Sequence, residues 1–176
     1  MGEFHRAIDT KDAGAQRYFD QGMVLAFGFN HAEAIRSFRA AQKLDPGCAM
    51  CFWGEALATG PNINVTAKGK AIMSPEEQKA AHAALTKAQS LAAGKPKVEQ
   101  DLIAALARRY SPEPVDDRDS FDHDYADALG ELVKTYPADD DIAAMYAEAW
   151  KNTKPWDYWS DATTPRPEIA PVSAAL

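Results

Sequence analysis

The sequence contains little of what enzymes use at a catalytic centre. It has only two cysteines and four histidines among 176 residues. No nucleophile–base pair, phosphate-binding loop or paired-carboxylate arrangement stands out from the spacing of its polar residues. Acidic residues outnumber lysine and arginine by 26 to 19, a formal charge of −7, whereas nucleic-acid binding needs clustered basic residues. We therefore expect no enzyme activity, no cofactor and no nucleic-acid partner.

The sequence also lacks a long apolar run. A membrane-spanning helix needs about 20 mostly apolar residues, and no stretch approaches that length, so we expect no membrane span. The first four residues, MGEF, lack the apolar region of a signal peptide. We interpret residues 1–4 as a cloning remnant, with the natural sequence beginning near His5. This interpretation leaves the natural compartment unknown, because an export signal would have been removed with whatever preceded His5.

Helix-forming residues are abundant instead. The hydrophobic fraction is 46% and is dominated by alanine, which favours helices because it loses no side-chain entropy there. Two amphipathic patterns, at 15–27 and 31–44, are separated by Gly28-Phe29-Asn30. Asn30 and Glu33 have the spacing of a capping box, which predicts the start of the second helix. Together the patterns predict an antiparallel helix hairpin.

This hairpin carries residues at regular spacings across both helices. They are Tyr18, Gly22, Leu25, Ala34, Phe38, Ala41 and Pro46. The series resembles the tetratricopeptide repeat (TPR), a 34-residue helix hairpin, although Gln21 and Leu25 depart from its signature. The pattern covers 15–46 and recurs more weakly at 48–93, 98–137 and, incompletely, 140–176. The resemblance implies an all-α, right-handed solenoid of antiparallel hairpins, about three and a half repeats long, forming one domain over 5–176.

The later repeats are predicted by the same spacings. Helix 48–59 places Gly54 where Gly22 stands in the first repeat, and its partner helix begins at Ser74-Pro75. An insertion at 60–73 separates these helices and is far longer than an ordinary turn. Helices at 98–110 and 120–136 form the third hairpin, joined by an acidic linker with prolines. The fourth repeat has a helix at 140–151 and the start of another at 167–176.

Three stretches are similar to a bacterial family of larger TPR proteins. They are YFDQGMVLAFGFNHAEAIRSF, DPGCAMCFWGEAL and GPNIN. Members of that family are mostly uncharacterised, and many carry export signals. The resemblance implies that this chain is the N-terminal part of a larger protein. It allows a periplasmic or exported location, and it implies no reaction.

The two cysteines form a CxxC pair, Cys48-Ala49-Met50-Cys51. A structural zinc site takes four ligands, and the chain has no second pair. His31 could reach the cysteines only through tertiary packing. Haem attachment would need histidine after Cys51, and a thioredoxin-like role would need a βαβ unit. We favour packing thiols over a local disulfide, and both over metal binding or redox chemistry by Cys48, Cys51 and His31.

The first helices of stacked hairpins line a concave surface in a solenoid, where they present side chains to a partner. The repeat register, with two asparagines from the insertion, predicts the residues of this groove. They are Gln16, Phe19, Met23, Phe27, Cys51, Glu55, Asn62, Asn64, Asp101, Ala104, Arg108, Ala144 and Glu148. For the asparagines, local backbone bonding is favoured over a ligand clamp. The mixture of apolar and charged residues suits an extended peptide with a few charged anchors.

The sequence therefore predicts a scaffold that binds a protein or peptide. The alternative is a metal-binding or redox protein that uses Cys48 and Cys51. The final segment is too short to cover the first helix of the fourth repeat. Trp150, Trp156 and Trp159 would then stay partly exposed. We expect self-association through the C-terminal end, or a poorly ordered tail.

Overall fold

The structure is a computed structural model that describes residues 2–167 and 169–175. It is mostly helical, as expected, with one small two-stranded sheet among these residues. The helices are α1 (Ala13–Phe27), α2 (His31–Leu44), α3 (Ala49–Thr59), α4 (Pro75–Leu91), α5 (Lys97–Leu106), α6 (Asp119–Thr135), α7 (Asp140–Thr153) and α8 (Ile169–Ala175). A turn of 3-10 helix, Ala107–Arg109, follows α5, and strands β1 (Thr66–Ala67) and β2 (Lys70–Ala71) lie between α3 and α4.

The chain divides into two compact units, where the repeat register predicts one domain. Unit 1 contains the chain up to Gly60 together with Pro75–Pro114, and unit 2 contains Pro61–Ser74 and the chain from Val115 onward. The register also pairs α5 with α6 as a third hairpin. Instead, α5 packs against α3 and α4 in unit 1, and α6 packs against α7 in unit 2. The linker between α5 and α6 carries two prolines, which cannot donate the backbone hydrogen bonds of a tight turn.

In unit 1, the ring of Phe38 on α2 lies between two glycines. A Cβ atom on Gly22 of α1 would come within 2.6 Å of Phe38 Cε1, and a Cβ atom on Gly54 of α3 would overlap the same ring. The register predicts that each glycine faces the partner helix of its own hairpin. Gly22 does, whereas Gly54 faces the preceding hairpin. One aromatic ring therefore fixes the packing of α1, α2 and α3.

Two buried aromatic side chains connect α3 to the region of α5. The indole Nε1 of Trp53 donates to the carbonyl of Leu102 at 3.1 Å. The hydroxyl of Tyr110 donates to the carbonyl of Ala56 at 2.7 Å. Buried aromatic residues with a polar atom need such a partner, so these bonds fix the orientation of both rings in the core.

The helix starts follow the expected capping chemistry with one exception. Asp12 accepts a hydrogen bond from the backbone N–H of Ala15 at 2.8 Å, and helix α4 begins at Pro75 as predicted. Asn30 occupies the N-cap of α2 but makes no side-chain capping bond. Glu33, its predicted capping-box partner, instead pairs with Arg36 one turn along. The stronger charged pair replaces the expected box.

In unit 2, the insertion forms a short β-hairpin attached to the end of α7. Its turn residues Lys68 and Gly69 have φ values of 52° and 75°, as a two-residue primed turn requires. Asn152 Nδ2 donates to the Pro61 carbonyl at 3.3 Å. The indole of Trp156 donates to the Ile63 carbonyl at 2.8 Å. These two bonds hold the insertion within the unit.

The tryptophans differ sharply in exposure. Trp53 is fully buried, whereas Trp156 and Trp159 are 68% and 55% exposed, and Trp150 is half-buried. The last segment, predicted as the start of a helix at 167–176, ends at Leu176, which lies outside the described residues. Within the described ranges, no helix has the length and apolarity that crossing a membrane requires.

Candidate segment-binding face

Residues 4–10, called here the N-terminal segment, run antiparallel to α1. The ring of Phe4 lies against Phe27 at the end of α1, with ring centroids 6.0 Å apart. Ile8 lies beside Gln16 near its start. Positions 16 and 27 are separated by about 16 Å along a helix, and residues 4–8 span at most about 14 Å. Residues 4–8 are therefore close to fully extended, and the backbone turns at Asp9, where the N–H of Thr10 donates to the carbonyl of Ile8 at 2.9 Å.

The carboxamide of Gln16 satisfies both kinds of backbone group on this segment. Its Oε1 accepts from the N–H of Ile8 at 3.1 Å, and its Nε2 donates to the carbonyl of Arg6 at 2.8 Å. One turn further along α1, Asp20 Oδ1 accepts from the N–H of Arg6 at 3.2 Å. The other oxygen, Oδ2, lies 2.9 Å from His5 Nδ1. Because most of these bonds reach main-chain atoms, they hold an extended chain largely independently of its sequence.

The side chain of Ile8 enters an apolar pocket. It is half-buried and packs against a cluster in which every side chain is fully buried: Ala15, Ala41, Cys48 and Cys51. These side chains are small, so together they leave space for one branched aliphatic group. This pocket brings together elements α1, α2 and the start of α3.

Cys48 and Cys51 form a disulfide, so the prediction of packing thiols is wrong and the disulfide alternative is correct. Their Cα atoms are 5.4 Å apart, a separation that a disulfide can bridge. Sulfur atoms joined in this way are not available as thiolate ligands. Among residues 2–167 and 169–175, no group of three or more histidine, cysteine or acidic side chains is placed to hold a metal ion.

His31, the third residue of the metal hypothesis, lies near Ala58 and Arg109. Ala58 is about 10 Å along α3 from Cys51, so His31 lies towards the other end of that helix. Burial lowers the pKa of His31, and the charge of Arg109 lowers it further. A backbone contact with Ala58, which lies outside normal hydrogen-bond geometry, acts in the opposite direction. The fold therefore favours the neutral form of this histidine.

The far end of the N-terminal segment is held near the start of α5. The N–H of Asp9 donates to Glu99 Oε1 at 2.6 Å. The carboxylate of Asp9 lies 2.9 Å from Lys95 Nζ. Burial raises the pKa of Glu99, against the opposing effect of its bond to the Asp9 backbone. The hydroxyl of Thr10 donates to Asp45 at 2.6 Å.

The segment-binding face is therefore the surface of unit 1 that contacts the N-terminal segment. Its contributing residues are Gln16, Asp20, Phe27, Ala15, Ala41, Asp45, Cys48, Cys51, Lys95 and Glu99. Of the predicted groove residues, Gln16, Phe27 and Cys51 belong to this face. Phe19 and Met23 do not: both are fully buried in the core of unit 1, where the ring of Phe19 packs against Phe38.

The other predicted residues of unit 1 have local partners or no contact with the segment. Glu55 binds Arg39 Nε at 2.7 Å and Gln42 Nε2 at 2.6 Å. Asp101 forms an ion pair with Lys97 on its own helix. Ala104 and Arg108 are exposed. On α5, the residue that reaches the segment is Glu99, two positions before the predicted one.

The remaining predicted residues lie in unit 2. Asn62 Oδ1 accepts from the N–H of Asn64 at 3.0 Å, which is the local backbone role favoured for these asparagines. Glu148 accepts from Asn152 Nδ2 at 2.5 Å, and Ala144 is half-buried. These contacts stabilise the insertion and the end of α7, and they add nothing to the segment-binding face of unit 1.

Sequence reasoning overlooked Ile8, Asp20, Lys95 and Glu99. Asp20 had a usable signal, since it lies one helical turn from Gln16 and so shares its face. Ile8 and Lys95 lie outside every predicted helix, where the repeat register assigns no positions. In comparisons with known proteins, no family model, curated protein or solved structure matches this chain.

Proposed function

We propose that this chain is a protein- or peptide-binding scaffold built from TPR-like hairpins, and that the segment-binding face is its recognition surface. The observation that carries the proposal is that this face already holds an extended piece of polypeptide. In addition, α1 contacts α3, and α3 contacts α5. Consecutive first helices are adjacent in this way in a solenoid of hairpins, which supports the TPR-like interpretation of unit 1.

Two kinds of contact, main-chain hydrogen bonds and one apolar side-chain pocket, make this face suitable for binding a peptide. Gln16, Asp20 and Glu99 bind main-chain atoms, and each such hydrogen bond contributes about 0.5–1.5 kcal/mol. The pocket around Ile8 adds selectivity, because burial of an aliphatic side chain stabilises in proportion to the area covered, and the half-buried Ile8 gains a part of the about 1.5–3 kcal/mol that full burial contributes. Main-chain bonds for affinity and side-chain pockets for specificity are the usual arrangement when an extended peptide is bound.

A peptide-display selection tests the proposal. The target is the full chain carrying Ile8→Ser, which weakens the hold on the N-terminal segment, and the melting temperature is checked first. We expect enriched peptides that lose about tenfold or more in affinity when Gln16→Ala is added. The matched control is Gln89→Ala on the exposed face of α4. Peptides that ignore Gln16, or the absence of any binding peptide, would contradict the proposal.

A redox role is a second candidate, because of the position of the disulfide. Cys48 is the N-cap of α3, and its Sγ accepts from the N–H of Cys51 at 3.1 Å. The positive end of a helix stabilises a thiolate there. However, both cysteines are fully buried, with Ile8 packed against them.

Reaction of the native chain with glutathione separates this role from a structural one. A redox protein exchanges rapidly while folded, and a structural disulfide exchanges only on unfolding. The metal-binding half of the alternative requires free thiols. It predicts stoichiometric zinc in chain purified under reducing conditions, lost in the Cys48→Ser and Cys51→Ser double variant. A metal content unchanged by that double variant would reject it.

A further inference from the structure

The N-terminal segment also indicates which partner the face accepts. Resting on the function proposed above, we infer that the segment-binding face recognises an extended peptide with a branched aliphatic residue followed directly by an acidic residue. In this chain the pair is Ile8-Asp9. The N-terminal segment then acts as an internal competitor for that peptide.

The aliphatic preference follows from the pocket under Ile8. Its four members are apolar and fully buried, so the part of a polar side chain that packs against them would lose its hydrogen bonds to water without replacement. An aromatic side chain would have to displace close-packed neighbours, which proteins resist. A side chain such as isoleucine or valine is apolar and is small enough to fit without displacing these neighbours.

The acidic preference follows from Lys95. The side chain of Lys95 is 19% exposed and that of Asp9 is 46% exposed, so this ion pair is partly removed from water. Charges in such a position interact more strongly than charges on an open surface. A basic residue in place of Asp9 would lie beside the like charge of Lys95, which selects against it. The carboxylate of Glu99, whose pKa the charge of Asp9 raises, acts in the opposite direction, so the preference for an acidic residue rests on Lys95.

Ala7, the position before this pair, has an exposed side chain, so many residues should be tolerated there. Arg6 is bound at its N–H and its carbonyl, and its charge also acts on Glu99. The inferred pattern is therefore defined by Ile8 and Asp9, with a further contribution from the side chain at position 6.

Competition by the N-terminal segment follows from its tether. Only Lys11 and Asp12 separate it from α1, and a short tether gives an effective concentration in the millimolar range. An external peptide binds only to the fraction of chains whose face is vacant, so its apparent Kd equals the intrinsic Kd divided by that fraction. Weakening the segment should therefore increase the affinity for an external peptide of the same pattern.

The test uses the full chain in two forms, wild type and a double variant with Ile8→Ser and Asp9→Ser. The probe is a fluorescent peptide with the sequence of residues 4–12, FHRAIDTKD, and binding is followed by anisotropy. We expect the double variant to bind at least about tenfold more tightly than wild type. Replacing isoleucine by serine or aspartate by lysine in the peptide should each weaken binding about tenfold or more. Adding Lys95→Ser should remove the preference for aspartate, together with the 3.4 Å bond that Lys95 Nζ donates to the main-chain carbonyl of Asp9.

The outcomes separate this inference from the proposed function. If the double variant binds a scrambled peptide equally well, the inferred pattern is wrong while a peptide-binding face stands. If a folded double variant binds none of these peptides but still yields binders in the display selection, the inference alone fails. If both experiments give nothing, both proposals fail. Should the double variant not fold, Asp9→Lys alone releases the segment at Lys95, and the same criteria apply to it.

Discussion

Units 1 and 2 position their helices by different means. In unit 1, the Phe38 ring lies against Gly22 and Gly54 so closely that neither glycine has space for a Cβ atom. In unit 2, a Cβ atom on Gly130 would lie 3.2 Å from the ring of Tyr146, a tight contact that a small shift relieves. Aromatic packing can therefore fix a helix arrangement rigidly in one part of a chain and leave freedom in another.

The units also differ in charge. Unit 1 carries twelve acidic and twelve basic side chains, whereas unit 2 carries fourteen acidic and seven basic ones. The whole formal charge of −7 thus belongs to unit 2. A unit with balanced charge suits recognition through neutral main-chain groups. A strongly acidic unit repels copies of itself at a distance, which opposes association through its exposed tryptophans.

The largest expected effect is that of Phe38→Ala. Removal of a buried ring costs about 3–5 kcal/mol, and the loss should be confined to unit 1. Trp53 is the single tryptophan of unit 1, so denaturant unfolding read from its fluorescence, with the other three changed to phenylalanine, measures this unit. Phe29→Ala is the control, because Phe29 is exposed. Equal losses in the two variants would refute the role of the ring.

Gly54→Ala should cost about 1–3 kcal/mol, because its new methyl group overpacks the Phe38 ring. In unit 2, the new methyl group of Gly130→Ala would contact only the edge of the Tyr146 ring. Its gain in helix propensity, about 1 kcal/mol, should offset that contact. Thermal melts of the two variants compare the packing of the two units directly. A larger loss of stability in Gly130→Ala than in Gly54→Ala would contradict the tighter packing inferred for unit 1.

Reduction of the disulfide should destabilise unit 1 by about 2 kcal/mol, in the chain-entropy account of a short closed loop. Unit 2 contains no cysteine and should be unaffected. Urea unfolding with and without a phosphine reductant measures the difference. A chain with both cysteines changed to alanine is the control and should not respond to the reductant. A response in that control would mean that the reductant acts elsewhere.

Acidification should weaken unit 1 through His31. Its pKa is lowered in the fold, so the unfolded chain takes up a proton first as pH falls through about 6.5. The free energy of unfolding then decreases by less than about 1.4 kcal/mol per pH unit, until the folded histidine is protonated as well. Glu99, with its raised pKa, acts in the opposite direction at lower pH.

Comparison of the wild type with His31→Gln between pH 7.5 and 5.5 isolates the histidine, because Glu99 is present in both. The wild type should lose more stability than the variant over this interval. An identical pH dependence in the two chains would show that His31 does not contribute.

The smallest effect on stability is expected for Trp159→Ser in unit 2. Its side chain is exposed, so the free energy of unfolding should change by no more than about 0.5 kcal/mol. Acrylamide quenching of the total fluorescence should decrease, since an accessible tryptophan is removed. Any self-association of the wild type, measured by light scattering over a concentration series, should weaken. Unchanged association would exclude Trp159 from the contact.

The helices could be predicted closely because their signals are local. The pattern at 31–44 matches α2, and Pro75 begins α4 as expected. Proline, capping side chains and apolar spacing act within one or two turns, so they can be read without knowing the fold. The repeat register implied by the TPR resemblance assigns Gln16 to the groove, and its side chain binds the N-terminal segment.

Pairing of helices could not be predicted in the same way. Whether α5 packs with α6 depends on the path of the linker between them, which no periodic pattern describes. Phe19 and Met23 were assigned to a groove because the repeat register does not distinguish a groove from the core next to it. The contact of Ile8 with the disulfide joins residues forty positions apart, and no local pattern in the segment indicates it.

The path of the chain limits how the two units can be separated. Residues 61–74 lie between α3 and α4 in sequence but belong to unit 2, so the polypeptide passes from one unit to the other three times. A protease that cuts once in the linker at 111–118 would produce two fragments, and the N-terminal one would retain the β-hairpin of unit 2. The fragments should then co-elute under native conditions and separate only in denaturant. A chain truncated at position 114 would keep this hairpin but lack α7, to which the hairpin is attached. A shortened chain designed from the sequence alone would contain this defect.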